Sequence, residues 1–204
     1  MVTLDIFSDP ICPWCLIGKA RLEAAIARTG LDPFTWRWRM FRLNPDMPAE
    51  GMDRQTYLES KFGGPEGAAQ VYGTIAQTAE AEGIPLALQR ISRTPQTLDA
   101  HRLLRWASAE GTGNAAAAAL FDAYFREGAD ISEPEVLIAE AERAGLAPEI
   151  VERLLAGDAD SAELEAEETE ARQMGVTGVP CFIVDGRFVI QGAQDADTWT
   201  RVIE

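Results

Sequence analysis

Hydrophobic and polar positions alternate with period two near both ends of the chain and follow a helical period between them. Residues 2–7 predict a short buried strand. Residues 34–40 alternate strictly, with the segment's two tryptophans on one face and its two arginines on the other. An apolar stripe over residues 17–26 predicts a helix that ends at Gly30. This strand–helix–strand order favours two parallel strands, and the arginine face favours an edge position for the second strand.

Near the C-terminus, the period-two pattern returns over residues 181–191. Two apolar runs there flank Asp185-Gly186, a dipeptide typical of a tight hairpin turn. A final helix is predicted after Gly192, with Asp195 as its N-cap. Strands at both ends of the chain therefore predict the α/β class, with one mixed four-stranded sheet flanked by helices.

The middle of the chain shows only helical periods, and no strand is predicted there. A short helix is expected around residues 53–61, and five further apolar stripes indicate longer helices. Those stripes lie at residues 68–79, 100–107, 116–125, 137–141 and 150–155. The pattern predicts an inserted all-helical domain over residues 47–156, while residues 1–46 and 157–204 form the α/β domain.

The charge of the chain is strongly acidic, with a formal net charge of −15. This charge argues against nucleic acids and anionic membrane surfaces as partners, including base stacking on the tryptophans of the second strand. The helix predicted over residues 158–172 is rich in glutamate, and a solvated face is favoured over an acidic docking surface. The sequence shows neither a signal-peptide pattern nor an apolar run of membrane length, so we expect a cytoplasmic protein.

The candidate chemistry lies in Cys12-Pro13-Trp14-Cys15, between the first strand and the first helix. Cys12 falls at the N-terminal end of that helix, where free backbone N–H groups and the helix dipole stabilise a thiolate. Cys15 lies one turn further on, within reach of a disulfide. We expect Cys12 at the exposed helix end and Cys15 facing inward. Two such thiols form a reversible two-electron redox couple.

A zinc site is the alternative use of a Cys-x-x-Cys pair, but zinc needs four ligands. The chain offers only Cys181 and His101 in addition, without the usual ligand spacing, so redox chemistry is favoured and no metal is expected. Cys181 is interpreted as a small buried apolar residue, with an auxiliary redox thiol or a metal ligand as alternatives. His101 is interpreted as a hydrogen-bonded packing residue, with a role at the substrate groove as the alternative.

The whole chain resembles a known superfamily. Cys12-Pro13-Trp14-Cys15 after a first strand, together with Gly178-Val179-Pro180 before a hairpin, is similar to the thioredoxin superfamily. The helical insert resembles its DsbA branch, and three further motifs resemble the cytosolic FrnE-like group of thiol–disulfide oxidoreductases. Those motifs are Ser8-Asp9-Pro10-Ile11, Leu43-Asn44-Pro45-Asp46-Met47-Pro48 and Ala100-His101-Arg102-Leu103.

The resemblance implies a thioredoxin fold with a helical insertion and assigns roles to individual residues. Cys12 and Cys15 are the implied catalytic residues. The implied substrate contacts come from Pro13, Trp14, Val179 and Pro180. The peptide bond before Pro180 is implied to be cis, with the proline against the disulfide, and the Val179 backbone is implied to pair with an extended substrate segment.

Two positions depart from the pattern of the superfamily. Ile6 stands where thioredoxin-like proteins often carry a buried carboxylate that accepts the proton of the second thiol. Asp9 is the nearest carboxylate, and a turn role before Pro10 is favoured over that of a proton acceptor. Pro-Trp also replaces the Pro-His of strongly oxidising periplasmic members, so no histidine stabilises the Cys12 thiolate. We therefore expect a reduction potential between those of thioredoxin and DsbA, roughly −250 to −150 mV.

The expected activity is that of a protein-disulfide oxidoreductase or isomerase. Its expected partners are protein thiols and disulfides or glutathione. The chain is expected to be a monomer or a homodimer. No cofactor is expected beyond the redox-active pair, with glutathione as a candidate co-substrate. The alternative is a glutathione-dependent isomerase or transferase resembling the kappa-class transferases and 2-hydroxychromene-2-carboxylate isomerase, but those enzymes typically place serine at the position of Cys12. A non-catalytic binding module or chaperone for extended peptides is the third interpretation.

Overall fold

The elements follow one another as strand, helix, strand, a long and mostly helical stretch, and then helix, hairpin and helix. The computed structural model describes residues 1–204. The strands are β1 (Val2–Ser8), β2 (Phe34–Met40), β3 (Met52–Asp53), β4 (Arg93–Thr94), β5 (Cys181–Val184) and β6 (Phe188–Gln191). The helices are α1 (Pro13–Thr29), α2 (Arg54–Phe62), α3 (Pro65–Ala81), α4 (Leu98–Ala109), α5 (Gly113–Asp122), α6 (Pro134–Arg143), α7 (Pro148–Leu155), α8 (Ser161–Gln173) and α9 (Ala196–Ile203), with a π-helical turn at Ala123–Glu127 and a 3₁₀ turn at Leu88–Arg90.

The four longer strands form one mixed sheet in the order β2-β1-β5-β6. β1 runs parallel to β2, with Val2 opposite Phe34, and antiparallel to β5, with Phe7 opposite Cys181. β5 and β6 form the predicted hairpin. The structure therefore confirms the α/β class, the mixed four-stranded sheet of the thioredoxin fold, and the edge position of β2.

Helix α1 begins and ends where its sequence dictates. Pro13 occupies its first turn, where a missing N–H costs nothing, and Gly30 closes it with a left-handed φ of 68°. The buried side of α1 joins the sheet in a core shared with α9, whose Trp199 is fully buried and lies 4.8 Å from the Phe182 ring, centroid to centroid. This core fixes α1, and with it Cys15, against the strands.

A second core fills the helical stretch and reaches the redox motif. It comprises 22 buried residues, and both Cys12 and Cys15 belong to it together with residues of α4 and α5. The helical stretch therefore covers the N-terminal end of α1. The division of the chain into two domains at residues 46/47 and 156/157 stays a prediction. No helix combines the length and the hydropathy needed to cross a membrane.

One expectation about the fold was wrong, and a second holds except at one residue. The middle of the chain contains the two-residue strands β3 and β4, which pair antiparallel, with Met52 opposite Thr94. A ladder this short leaves no period in the sequence. The acidic helix α8 is also not wholly solvated, because Glu168 is only 3% exposed and forms 2.8 Å ion pairs with Arg42 and Arg172.

Candidate redox site

The two cysteines of the motif occupy the first turn of α1. Cys12 is the N-cap residue, with extended backbone angles, and its N–H donates to the Asp9 carbonyl at 2.9 Å. The Cys15 N–H donates in turn to the Cys12 carbonyl at 3.0 Å. Both residues are free thiols in the structure. The strand-to-helix turn therefore places Cys12 at the helix end, where the dipole favours a thiolate.

The two cysteines do not differ in solvent exposure as expected. Cys12 is 4% exposed and Cys15 is 2% exposed, so the expectation of an exposed Cys12 was wrong. Trp14, Leu43 and Val179 are partly buried against the core that contains both cysteines. No pattern in the sequence indicates this packing, because Leu43 and Val179 come from distant loops.

Acidity does distinguish Cys15. Burial raises the pKa of the Cys15 thiol well above its ordinary value, and the hydrogen bond and charge of Cys12 raise it further. The Ser8 side chain and the Asp9 backbone interact with the Cys15 sulfur and act in the opposite direction. Cys15 is therefore a thiol that holds its proton firmly.

The loop before β5 lies directly against Cys12 and α1. The Cys12 Sγ donates to the Val179 carbonyl oxygen at 3.9 Å, and the Val179–Pro180 bond is cis, as the resemblance implies. A Cβ placed on Gly18 would lie 3.1 Å from Pro180 Cγ, a tight contact, so glycine allows α1 to approach the proline closely. The Val179 N–H makes no hydrogen bond within the chain. The loop thus presents one backbone donor beside the Cys12 thiol.

Asp9, three residues before Cys12, faces His101 in the interior. They are 0% and 2% exposed, respectively. Asp9 Oδ2 accepts a 2.7 Å hydrogen bond from the Leu43 N–H, whereas Oδ1 lies 3.7 Å from His101 Nε2. Neither Oδ1 nor Nε2 has a hydrogen-bond partner. Asp9 does form the predicted turn before α1, but its side chain is buried. His101 was predicted to be a hydrogen-bonded packing residue; it is buried, but its Nε2 has no hydrogen-bond partner.

Cys181 lies in a different apolar cluster from the dithiol. It is 1% exposed and packs with Phe7, Phe41 and Val176. Burial raises the pKa of its thiol. This environment agrees with the interpretation of Cys181 as a small buried apolar residue. No group of three or more His, Cys, Asp or Glu side chains is arranged to hold a metal ion.

A buried arginine near the site was missed by sequence reasoning. Arg54 is 7% exposed, and its guanidinium donates to the hydroxyls of Tyr72, Tyr124 and Thr94. Burial raises the pKa of Tyr72, and the charge of Arg54 acts in the opposite direction. Tyr124 belongs to the same buried core as Cys12 and Cys15. No residue spacing in α2 or α3 indicates the contact.

Comparison with known proteins gives matches over nearly the whole chain. The family model of the DsbA-like thioredoxin domain matches residues 3–204. A probable DsbA oxidoreductase from Streptomyces coelicolor is 33% identical and superposes with a TM-score of 0.89, covering 100% of this chain and 88% of that chain.

Two more distant structures share the fold. One is the cytosolic disulfide reductase DsbM from Pseudomonas aeruginosa, solved with glutathione, which is 21% identical with a TM-score of 0.69 over 98% of this chain and 96% of that one. The other is a 2-hydroxychromene-2-carboxylate isomerase, which is 18% identical with a TM-score of 0.67 over 94% of this chain and 89% of that one.

Proposed function

The chain belongs to the DsbA-like thioredoxin domain family, and from that premise we propose that it exchanges disulfides with protein thiols or glutathione through Cys12 and Cys15. The observation that carries this proposal is the 3.9 Å contact between Cys12 Sγ and the Val179 carbonyl oxygen. It places the thiol at the end of α1 beside the loop that offers a free backbone N–H. The attacking atom and a peptide-binding edge therefore lie together.

The reaction proceeds in two exchanges. The Cys12 thiolate, stabilised by the N-terminal end of α1, attacks a substrate disulfide and releases one substrate thiolate. The resulting mixed disulfide is then attacked by Cys15, which forms the Cys12–Cys15 disulfide and releases the second substrate thiolate. The raised pKa of Cys15 fits the second role, because a protonated thiol does not compete for the first attack.

Substrate binding follows from the backbone of Val179. Its N–H is unpaired and its carbonyl oxygen accepts only from Cys12, so an extended peptide has both groups available for pairing. Pro13 and Trp14 begin α1 beside this edge, and the half-buried Trp14 offers a flat apolar surface. Glutathione is the second proposed substrate, since its γ-glutamyl-cysteinyl-glycine backbone is itself a short extended peptide. DsbM was solved with this tripeptide.

The direction of exchange depends on the reduction potential. The Pro-Trp dipeptide provides no cationic side chain to stabilise the Cys12 thiolate beyond the helix end. We therefore propose a potential between those of thioredoxin and DsbA and a cytoplasmic location, in which the pair rests mainly reduced. Under these conditions the protein acts as a reductase or an isomerase.

Reduction of insulin disulfides by the protein, with dithiothreitol or glutathione as electron donor, tests the proposal. Cys12→Ser abolishes turnover, because it removes the thiol at the N-cap of α1 and leaves only Cys15, whose pKa is raised. Cys15→Ser traps a mixed disulfide on Cys12 that mass spectrometry identifies. Cys181→Ala is the matched control and retains activity, since Cys181 lies in a separate cluster. Full turnover by the Cys12→Ser variant would refute the proposal.

A further inference from the structure

The segment Gly178-Val179-Pro180 is hydrogen-bonded to the end of β6 at two carbonyl groups. The Pro180 carbonyl oxygen accepts from the Gly192 N–H at 2.8 Å. The Gly178 carbonyl oxygen accepts from the side-chain Nε2 of Gln191 at 3.1 Å. Gln191 is the last residue of β6. A side chain therefore holds the segment one step beyond the point where the backbone pairing ends.

A side-chain donor is used at this point because the backbone of β6 turns away. The ladder between β5 and β6 ends at the pair Cys181 and Gln191, and Gly192 adopts a left-handed φ of 78°. No backbone N–H of the chain donates to the Gly178 carbonyl. The carbonyl of Gln191 itself accepts from the side chain of Gln194 at 2.7 Å. The backbone of Gln191 is thus fixed on both sides, and its amide reaches Gly178 from a defined position.

The hydrogen bond from Gln191 sets the direction of the next backbone donor. The bond between Gly178 and Val179 is trans, so its C=O and N–H groups point in opposite directions. Because the carbonyl oxygen is held toward β6, the Val179 N–H points away from β6. In the sheet order, β1 lies on that opposite side of β5, and Cys12 follows β1. The Val179 N–H is therefore directed to the side of the attacking thiol.

The backbone of Gly178 has little else to restrain it. Glycine adopts a wider range of φ and ψ angles than other residues, so the peptide group that follows it can rotate unless something holds it. A Cβ placed on Gly178 would meet only one atom within 4 Å, the Gln191 Nε2 at 3.9 Å. Side-chain packing therefore does not fix this peptide group, and the Gln191 amide is the contact that does.

We propose that Gln191 is a positioning residue for substrate binding, because its amide directs the Val179 N–H toward an incoming extended peptide. The proposal rests on the disulfide exchange proposed above and adds a residue outside both the Cys-x-x-Cys motif and the proline loop. The bound peptide lies along the extended segment before β5, in the place that β1 leaves vacant where it ends at Ser8. Gln191 itself does not touch the substrate.

Three substitutions separate the hydrogen bond from the size of the side chain. Gln191→Leu keeps a similar volume but has no donor. Gln191→Glu keeps the shape but presents only acceptor oxygens, which repel the Gly178 carbonyl. Gln191→Lys restores an N–H donor on a long side chain. Gln191 is exposed, so all three substitutions leave the buried cores unchanged.

The test compares two uncharged disulfides that share one leaving group. One is a short uncharged peptide whose single cysteine is bonded to thiopyridine, and the other is dithiodipyridine, which has no peptide backbone. The Cys12 thiolate of the reduced protein attacks one sulfur and forms a mixed disulfide. The original disulfide bond breaks, and its electron pair leaves with the pyridinethiolate, which takes a proton from water to give thiopyridone. Stopped-flow absorbance of thiopyridone measures this first release.

The loss should be confined to the peptide disulfide. Gln191→Leu and Gln191→Glu should slow release from the peptide at low peptide concentration by roughly three- to tenfold, the effect of one peptide hydrogen bond. The rate at saturating peptide should stay at the wild-type value, because the lost contact contributes to binding and not to the chemical step. The rate with dithiodipyridine should not change. Gln191→Lys should restore most of the peptide rate.

Gln55→Leu is the matched control. Gln55 is also an exposed glutamine, but its amide donates to Glu59 Oε1 on α2 at 2.7 Å. This variant should match the wild type with both disulfides.

An equal loss with both disulfides would overturn the proposal, because it would show that Gln191 only supports the structure around Cys12. Wild-type rates with the peptide in both Gln191→Leu and Gln191→Glu would overturn it as well. If the wild-type protein released no thiopyridone from either disulfide, the exchange reaction itself would be refuted.

Discussion

The dithiol has two sides that differ in what their polar groups are free to do. On the front face, which we define by Cys12, Val179 and Pro180, the backbone N–H of Val179 remains unpaired and available to a substrate. On the back face, defined by Cys15, Asp9 and His101, the unpaired groups are two buried side-chain atoms, Asp9 Oδ1 and His101 Nε2. Under the proposed exchange, the attacking thiol needs an approach for its partner, whereas the resolving thiol needs protection from competing reactants.

The largest expected difference between the two faces is thiol reactivity. Iodoacetamide should alkylate Cys12 of the reduced protein at pH 7, while Cys15 reacts only as the pH rises, because burial raises the pKa of Cys15. Each unit by which the pKa of Cys15 is raised lowers its thiolate fraction about tenfold. Peptide mapping after short labelling measures the ratio.

Cys181 provides the internal control for that experiment. Its buried thiol, with a raised pKa, should stay unlabelled until the protein is unfolded, when all three cysteines react. Equal labelling of Cys12 and Cys15 at pH 7 would remove the distinction between the faces.

A smaller effect is expected from changing the packing between α1 and Pro180, which positions the front face. Gly18→Ala puts a methyl group 3.1 Å from Pro180 Cγ, so α1 or the proline loop must shift. We expect a loss of unfolding free energy of about 1–3 kcal/mol, the usual cost of overpacking, together with slower attack by Cys12. Thermal melts and the rate of mixed-disulfide formation measure the two effects.

Gly73→Ala is the matched substitution, since Gly73 also lies within a helix, α3, but a Cβ there meets nothing within 4 Å. This variant should gain about 0.5–1 kcal/mol, because alanine favours a helix more than glycine does. The change from glycine to alanine should therefore lower the free energy of unfolding at position 18 and raise it at position 73. Equal melting temperatures for the two variants would show that Gly18 does not set the position of Pro180.

The front face could be predicted largely from the sequence, and so could the sheet. Period-two runs, the Asp185-Gly186 turn and the Asp195 cap are local signals, and the structure confirms each of them. The Cys-x-x-Cys motif and the proline before β5 belong to short contiguous segments. Such features can be predicted from the sequence because residues that are neighbours along the chain determine them.

The back face could not be predicted, because its parts are distant in sequence. His101 stands alone in a helical stripe, and nothing in that stripe indicates a carboxylate from the β1–α1 turn. The same limit hid the burial of Glu168, whose partner Arg42 follows β2. It also hid the packing of Leu43 and Val179 against the core that contains Cys12. Polar contacts between residues that are distant in the sequence leave no periodic pattern along it. Only the folded structure shows them.

Equilibration with glutathione buffers of graded ratio tests the central claim most directly. The fraction of protein with a Cys12–Cys15 disulfide is read by acid quench, alkylation and mass spectrometry. We expect a single two-electron transition at roughly −250 to −150 mV, with both thiols lost together and Cys181 unchanged. A midpoint near the roughly −120 mV of DsbA would make the protein an oxidant rather than a reductase. If Cys12 and Cys15 formed no disulfide at any ratio, the assignment of a redox-active dithiol would be wrong.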